Sequence, residues 1–294
     1  MNSIKEVLDE LNIFLDDIDK QLITDFQENG YCIIQKSNFV TKNLNNFRSI
    51  IDELLKKESW RGGWEGKEEY LKYGKKFNTG AYRLANLFNK HELFLKLLSE
   101  ENILKIIYGI LGNDFKIGGL DMREPMKGTG WQELHIDWLP KKTLDEPTQN
   151  IVGFIFLDDA NKENGSMRLV PKTHKKTGWI DDYQKDKSSH PDEIFVNVKE
   201  SSIVLMDANL WHSGTTNNNG NRRRVLYVDV RRRDIPQLLN QRIYLDETTQ
   251  EKISIIEKYL LGLRENDSIF EDRVFTVGNV YRKHFKTDVV VKQS

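Results

Sequence analysis

Hydrophobic positions along the first third of the chain repeat at helical intervals. Ile4, Val7, Leu8, Leu11 and Leu15 share one helical face behind Ser3, which has capping-box spacing to Glu6, so a helix is expected over residues 3 to 15. A second helical stretch runs into Phe26 and stops at Gly30, where a C-terminal glycine belongs. GYCIIQKSNF follows as a strand, and Leu44, Phe47, Ile51, Leu54 and Leu55 mark a third helix from about Lys42 to Lys57. Residues 60 to 80, WRGGWEGKEEYLKYGKKFNTG, lose periodicity and read as a long loop, either a lid over a pocket or a plain surface excursion. Helical spacing returns over about Lys90 to Leu111 and ends at Gly112.

From residue 115 the period shortens. FKIGGLDMRE, WQELHIDWL, NIVGFIFLDD, SMRLVP, DEIFVNV, SSIVLMDANLWH and RRVLYVDV are short apolar or alternating runs split by turn residues. Seven or eight short strands with no helical pattern between them indicate an antiparallel sandwich or barrel. After Asp234 mixed structure resumes, with a helix expected from Glu247 to Leu263. No repeat, low-complexity tract or polar linker marks a second domain. The expected architecture is mainly β with flanking helices around a jelly-roll (double-stranded β-helix, cupin-like) core. Residues 1–294 form one domain in this reading: a mainly helical part at 1–114, the core at 115–233 and an extension at 234–294.

Composition narrows the partners more than the chemistry. The 294 residues carry 44 basic and 45 acidic side chains, for a net charge of -1, which gives no electrostatic case for nucleic acid or a membrane surface. Hydrophobic residues at 38% and charged residues at 30% describe a folded chain with a heavily charged surface. The single cysteine, Cys32, sits in an apolar strand and reads as a small buried hydrophobe, which fits a reducing, cytoplasmic setting. The first residues are too charged for a signal sequence, and no window approaches a membrane span.

The candidate chemistry lies in GWQELHIDW and LWHSGTTNNNGNRRRVLYVDV. On a strand, His135 and Asp137 project from one face, because side chains alternate residue by residue. A histidine–x–aspartate pair is weak evidence by itself, and its bland reading is an interior histidine hydrogen-bonded to Asp137. A second copy, His190-Pro191-Asp192, lies in a polar turn where nothing fixes the two side chains, and is set aside. Among His91, His174, His212 and His284, the best third ligand is His212, which closes the core strand IVLMDANLWH; His91 and His284 are expected to face solvent, and His174 borders a lysine-rich turn. Two imidazoles and one carboxylate converging on a sheet form the facial triad that suits non-haem Fe(II), with positions left open for O2. Arg222, Arg223 and Arg224 open the next strand, and at least one is expected to face inward, since the strand carries apolar residues on both faces. The bland reading there is a solvated basic patch shared with Arg231, Arg232 and Arg233.

These segments resemble the phytanoyl-CoA dioxygenase family of Fe(II)/2-oxoglutarate-dependent oxygenases. GTGWQELHIDW resembles its G-x-G-x-Q-x-L-H-x-D segment, and FLDDANKENGSMRLVPKTHK is similar to the stretch from its Leu-Asp-Asp strand to Pro-Gly-Ser-His. LWHSGTTNNNGNRRR looks like its distal histidine segment, and the likeness spans roughly residues 20 to 233. The resemblance implies His135, Asp137 and His212 as iron ligands and selects Arg223 for the distal carboxylate of 2-oxoglutarate. It places Gln132 near the pocket, and offers Thr215 (or Ser213) for cosubstrate and Arg83 and Arg123 for cosubstrate or substrate, with surface salt bridges as the plain reading of the two arginines. Two departures stand out: Lys172-Thr173 replaces Gly-Ser, and Gly214 replaces a small hydroxyl two residues after the distal histidine.

The implied reaction couples decarboxylation of 2-oxoglutarate to succinate and CO2 with attack on a C–H bond of a small molecule. An intact Asp137 favours hydroxylation over halogenation, with desaturation, epoxidation and ring closure open within the same site. The competing readings are a non-catalytic jelly-roll that binds metal or ligand, and an oxygenase acting on a protein. Substrate identity and oligomeric state are not written in these motifs.

Overall fold

The computed structural model describes residues 1–16, 18–58, 81–112, 114–237 and 240–264; the loop expected at 60–80 and His284 lie outside them. Ser3 caps α1 (Ile4–Glu10) by accepting from the Glu6 N–H, and the helix ends well before Leu15 because Asn12 turns left-handed, with φ +56°. Helix α2 (Lys20–Asn29) stops at Gly30, whose φ of +86° needs a residue without a side chain, the more so because a Cβ there would meet the His174 ring at 2.5 Å. Strand β1 (Tyr31–Ile34) leads to α3 (Asn38–Glu58), which starts earlier than its apolar period suggests because the Ser37 hydroxyl accepts from Val40 N–H.

The single helix expected over 90–111 is broken. Short helices Glu92–Lys96 and Glu101–Leu111 flank Glu100, whose buried carboxylate accepts from Ile103 N–H and from the Ser37 hydroxyl. The helix expected over 247–263 is likewise split into Glu247–Lys252 and Ile255–Leu260, the second opened by a capping box between Ser254 and Glu257.

The remaining strands are β2 (Ala81–Leu84), β3 (Phe115–Pro125), β4 (Asn150–Phe156), β5 (Met167–Val170), β6 (Ile194–Phe195), β7 (Ile203–Asp207), β8 (Trp211–Gly214) and β9 (Val225–Arg232). They form an antiparallel sheet of order β1-β7-β4-β9-β3-β2 and a smaller one of order β6-β5-β8, the two faces of a cupin-like jelly roll. Strand β4, NIVGFIF, is buried at every position because it lies between β7 and β9 and is covered on both sides. Its Val152, Phe154 and Phe156 pack with Val204, Met206, Val225 and Leu169 between the sheets, while Ile151 and Ile155 pack outward against the helices with Leu205, Leu226 and Phe94. Each such side chain contributes roughly 1.5–3 kcal/mol by leaving water, so a one-residue slip in register would cost far more than any single contact. Among the described residues no helix is long and apolar enough to cross a membrane.

Candidate active site

The strand expected over WQELHIDWL is not formed as a ladder. The segment runs beside β8, with Gln132 N–H donating to Gly214 O at 3.0 Å and His135 and His212 exchanging backbone bonds at 3.0 and 3.1 Å. At Asp137 it turns away, and the Asp137 N–H donates instead to Ala208 O, in the turn between β7 and β8, at 2.8 Å. The His135–His212 bridge brings the two rings to 4.4 Å between centroids.

Asp137 completes the group. Its carboxylate lies 3.7 Å from His135 Nε2 and 3.3 Å from His212 Nε2, and one ligand atom from each of the three residues falls within 4.8 Å of the others. Each histidine has its Nδ1 against a backbone carbonyl, Glu133 O at 2.8 Å and Leu210 O at 2.9 Å. A carbonyl can only accept, so the proton sits on Nδ1 and the Nε2 lone pairs face Asp137, the tautomer a metal ligand needs. Burial, joined by His212, pulls the His135 pKa down to about 4 against the attraction of Asp137, so its imidazole is neutral at physiological pH. Burial also opposes the charge on His212, but Asp137 outweighs it and raises the pKa; in return His212 outweighs burial at Asp137 and lowers its pKa. The donor set N2O, with both imidazoles fixed from behind, fits Fe(II).

The group opens into a cavity of about 410 Å3 whose far wall is the inner face of the large sheet. Phe154 stands edge-on to His212 and to Tyr227 and forms its apolar floor. Arg223, Arg123, Arg83 and Gln132 all line it. The arginine triplet, expected to open the strand, lies just ahead of β9, and its side chains still alternate. Arg222 pairs with Glu124 and Asp52, Arg224 forms two bonds of 2.8 Å with Asp158, and Arg223 between them turns inward. Arg223 is 2% exposed, shares a hydrogen bond with the Tyr227 side chain and forms no ion pair among the described residues; its Nε has no partner. Burial lowers its pKa, as for a cation held without a counter-charge.

Three further wall residues, Asp121, Asp229 and Arg231, were not expected from sequence. Arg231 belongs to no solvated patch: it is 1% exposed, bonds Asp229 at 2.7 Å and stacks on Trp138 at 4.4 Å. The available signal was period two, since 227, 229 and 231 share one face of β9 and keep the parity of Arg223 just ahead of it. Thr215 is not brought to the cavity, and its hydroxyl donates to Ser166 O; Ser213 does line the cavity, with its hydroxyl accepting from Arg168. His91 caps a helix in the open, and His174 is buried against Gln27 O, its pKa lowered to about 4 mainly by desolvation. His190 accepts from the Asp192 N–H in a turn and stands edge-on to Trp211; it is not one of the three residues that could hold a metal ion. Lys172 occupies a left-handed turn with φ +70°, the conformation that suits a glycine.

Comparison with known proteins gives a consistent answer. The family model described as phytanoyl-CoA dioxygenase matches residues 26–225. No curated protein matches the sequence. Among solved structures, HygX from Streptomyces hygroscopicus with nickel and 2-oxoglutarate bound superposes with a TM-score of 0.57 at 14% identity, over 74% of this chain and 88% of that one. SnoK, a non-haem α-ketoglutarate-dependent carbocyclase from nogalamycin biosynthesis, gives 0.59 at 21% identity, over 75% and 86%. The epimerase SnoN, in complex with Fe3+, α-ketoglutarate and nogalamycin RO, gives 0.53 at 13%, over 73% and 84%.

Proposed function

The chain belongs to the phytanoyl-CoA dioxygenase family, whose members use Fe(II), 2-oxoglutarate and O2, and from that premise we propose that it hydroxylates an unactivated C–H bond of a small molecule. The observation that carries the reading is one cavity with a two-histidine, one-carboxylate group at one side and a buried arginine without a counter-ion lining the same space. His135, Asp137 and His212 would hold the iron through two Nε2 atoms and a carboxylate oxygen. Bound there with 2-oxoglutarate and O2, iron supplies the oxidation of the C–H bond, with succinate and CO2 as coproducts.

The chain supplies binding, orientation and exclusion of water. The carbonyls of Glu133 and Leu210 hold both imidazoles in one tautomer and one orientation. Arg223, permanently charged and desolvated, neutralises the distal carboxylate of 2-oxoglutarate in a setting where a charge-assisted bond is strong. Phe154, Val152 and Met167 keep the reacting space apolar, while Arg83, Asp121 and Asp229 give its wall polar groups for substrate. Asp137 fills the ligand position that halide would need, which favours hydroxylation over halogenation. HygX has been crystallised with the small molecule hygromycin B, and a small-molecule substrate suits a cavity of this size. The reactions named for SnoK and SnoN, carbocyclisation and epimerisation, differ from hydroxylation in leaving no oxygen from O2 in the product.

Anaerobic titration of metal-free protein with Fe(II) and then 2-oxoglutarate tests the reading. A visible charge-transfer band is expected in the native protein, lost in His135→Ala and weakened in Arg223→Ala. Iron binding without a band would sink it. A small-molecule screen read by succinate formation, followed by turnover under 18O2, then separates hydroxylation (label in the product) from ring closure or epimerisation (none).

A further inference from the structure

We propose that Arg123 is a second arm of the distal-carboxylate site, with its guanidinium lying in the space that Gly214 leaves by having no side chain. The proposal rests on the 2-oxoglutarate reading above and concerns which residues of this chain recognise that cosubstrate.

Arg123 lies on β3, is 3% exposed and lines the same cavity as Arg223. A Cβ built on Gly214 would come 2.8 Å from Arg123 Nη1, 2.8 Å from Gly130 O and 2.9 Å from Gln132 Oε1, all closer than real contacts allow. Any side chain at 214 therefore displaces the guanidinium, the carboxamide or the Gly130 carbonyl. Both groups are fixed from behind: Arg123 Nη2 donates to Gly130 O at 3.2 Å, and Gln132 Oε1 accepts from Gly214 N–H at 3.2 Å. At this position the family resemblance calls for a small hydroxyl, and here an arginine from another strand stands in its place.

The electrostatics point the same way. Arg123 is close enough to Arg223 that its charge disfavours the charged form of Arg223. Two cations sharing one buried wall repel each other in a medium of low polarisability, and an anion between them converts that repulsion into attraction. A carboxylate offers about four acceptor sites, more than one guanidinium edge can fill. Arg223 alone therefore leaves acceptor capacity that Arg123 is placed to use.

The test is anaerobic titration of the Fe(II)-loaded protein with 2-oxoglutarate and, separately, with 2-oxovalerate, a 2-oxo acid that lacks the distal carboxylate. Arg123→Gln is expected to weaken 2-oxoglutarate binding about ten- to a hundredfold, the scale of one lost charge-assisted bond, and to leave 2-oxovalerate unaffected. Arg123→Lys should fall between. Gly214→Ser should also weaken 2-oxoglutarate, because its Cβ would meet Arg123 Nη1 as well as the Gly130 carbonyl. A loss confined to 2-oxoglutarate, with 2-oxovalerate unaffected, is not expected of a purely structural arginine.

If Arg123→Gln no longer binds Fe(II), Arg123→Lys and Gly214→Ser carry the test, with the same selective loss for 2-oxoglutarate expected. A 2-oxoglutarate Kd within about twofold of wild type in these variants, or equal losses for both oxo acids, overturns the proposal. In that event a band in the wild-type protein leaves the oxygenase reading standing; its absence from iron-loaded wild type removes both.

Discussion

Asp121→Asn is expected to stabilise the metal-free protein above pH 6 and to change nothing below about pH 4. Asp121 sits on the inner face of β3, register-paired with Tyr227, and its Oδ1 accepts the Asn86 N–H at 2.8 Å. Burial raises its pKa to about 6; the Asn86 bond and the charges of Arg83 and Lys90 pull it down, and Asp229 pushes it up further. From 3.8 to about 6 is roughly two units, and at about 1.4 kcal/mol per unit the ionised form costs the folded state up to about 3 kcal/mol. The carboxylate is partly open to cavity water, so about 1–3 kcal/mol is the working figure.

The sign follows from proton linkage. The folded state holds this proton more tightly than the unfolded chain, so stability is full below the unfolded pKa near 4 and is lost as pH rises through 6. Asparagine keeps the acceptor for Asn86 and carries no charge, so it escapes that loss. Urea unfolding of both proteins at pH 4, 5, 6, 7 and 8, with chelator present, gives the difference directly, free of the other titrating groups they share. A difference that grows from near zero to about 1–3 kcal/mol is expected. A pH-independent difference, or an asparagine variant less stable at pH 7, would refute the reasoning. A carboxylate kept in a cavity wall at such a cost is a candidate for substrate contact, so the same variant should raise KM for substrate while leaving 2-oxoglutarate affinity alone.

Removing a ligand of the metal group, as in His135→Ala or Asp137→Ala, should weaken Fe(II) binding by at least about a hundredfold, since losing only a bond behind a ligand already costs 10–100-fold; equilibrium dialysis checks it. Lys172→Gly relieves a left-handed backbone worth about 1–2 kcal/mol but loosens the unfolded chain by about 0.5–1 kcal/mol, so a net gain of up to about 1.5 kcal/mol is expected in urea unfolding. Arg224→Leu leaves the largely buried Asp158 with Arg48 and the residue 224 N–H and should cost about 1.5–3 kcal/mol, whereas Arg232→Leu, which breaks the exposed pair with Asp234, should cost less than about 1 kcal/mol. Comparable losses in the two variants would mean that burial does not govern these ion pairs.

The central strands were legible because their chemistry is local. The run that became β4 is β-branched or aromatic at five of seven positions and the one that became β7 is apolar at its first four, and a strand covered on both faces can use such runs. The helix breaks were not legible, because each depends on a polar side chain whose role is decided by packing. Glu100 sits inside a continuous helical period and caps the next helix once Ser37, far earlier in the chain, has donated to it. The structure brings His135, Asp137 and His212 together, but not in the way the sequence suggested. His135 and Asp137 do not share a regular strand; one pairs with His212 on β8 and the other with the turn that precedes it.

The resemblance selected Arg223, and alternation from it extends further than it was taken. The odd-numbered positions that follow Arg223 into β9 include Tyr227, Asp229 and Arg231, all of which line the cavity. The bland reading put Arg231 in a solvated basic patch, since a charged run usually marks an exposed face. Its burial is compensated by Asp229, two residues earlier on the same face, and by the Trp138 ring from the segment that carries Asp137. An acid and a base at period two on an otherwise apolar strand satisfy each other without help from solvent, and that is the condition under which both can be buried. Such a pair on a central strand therefore points to a cavity wall, and the strand's remaining polar positions on that face should be read as facing the same ligand.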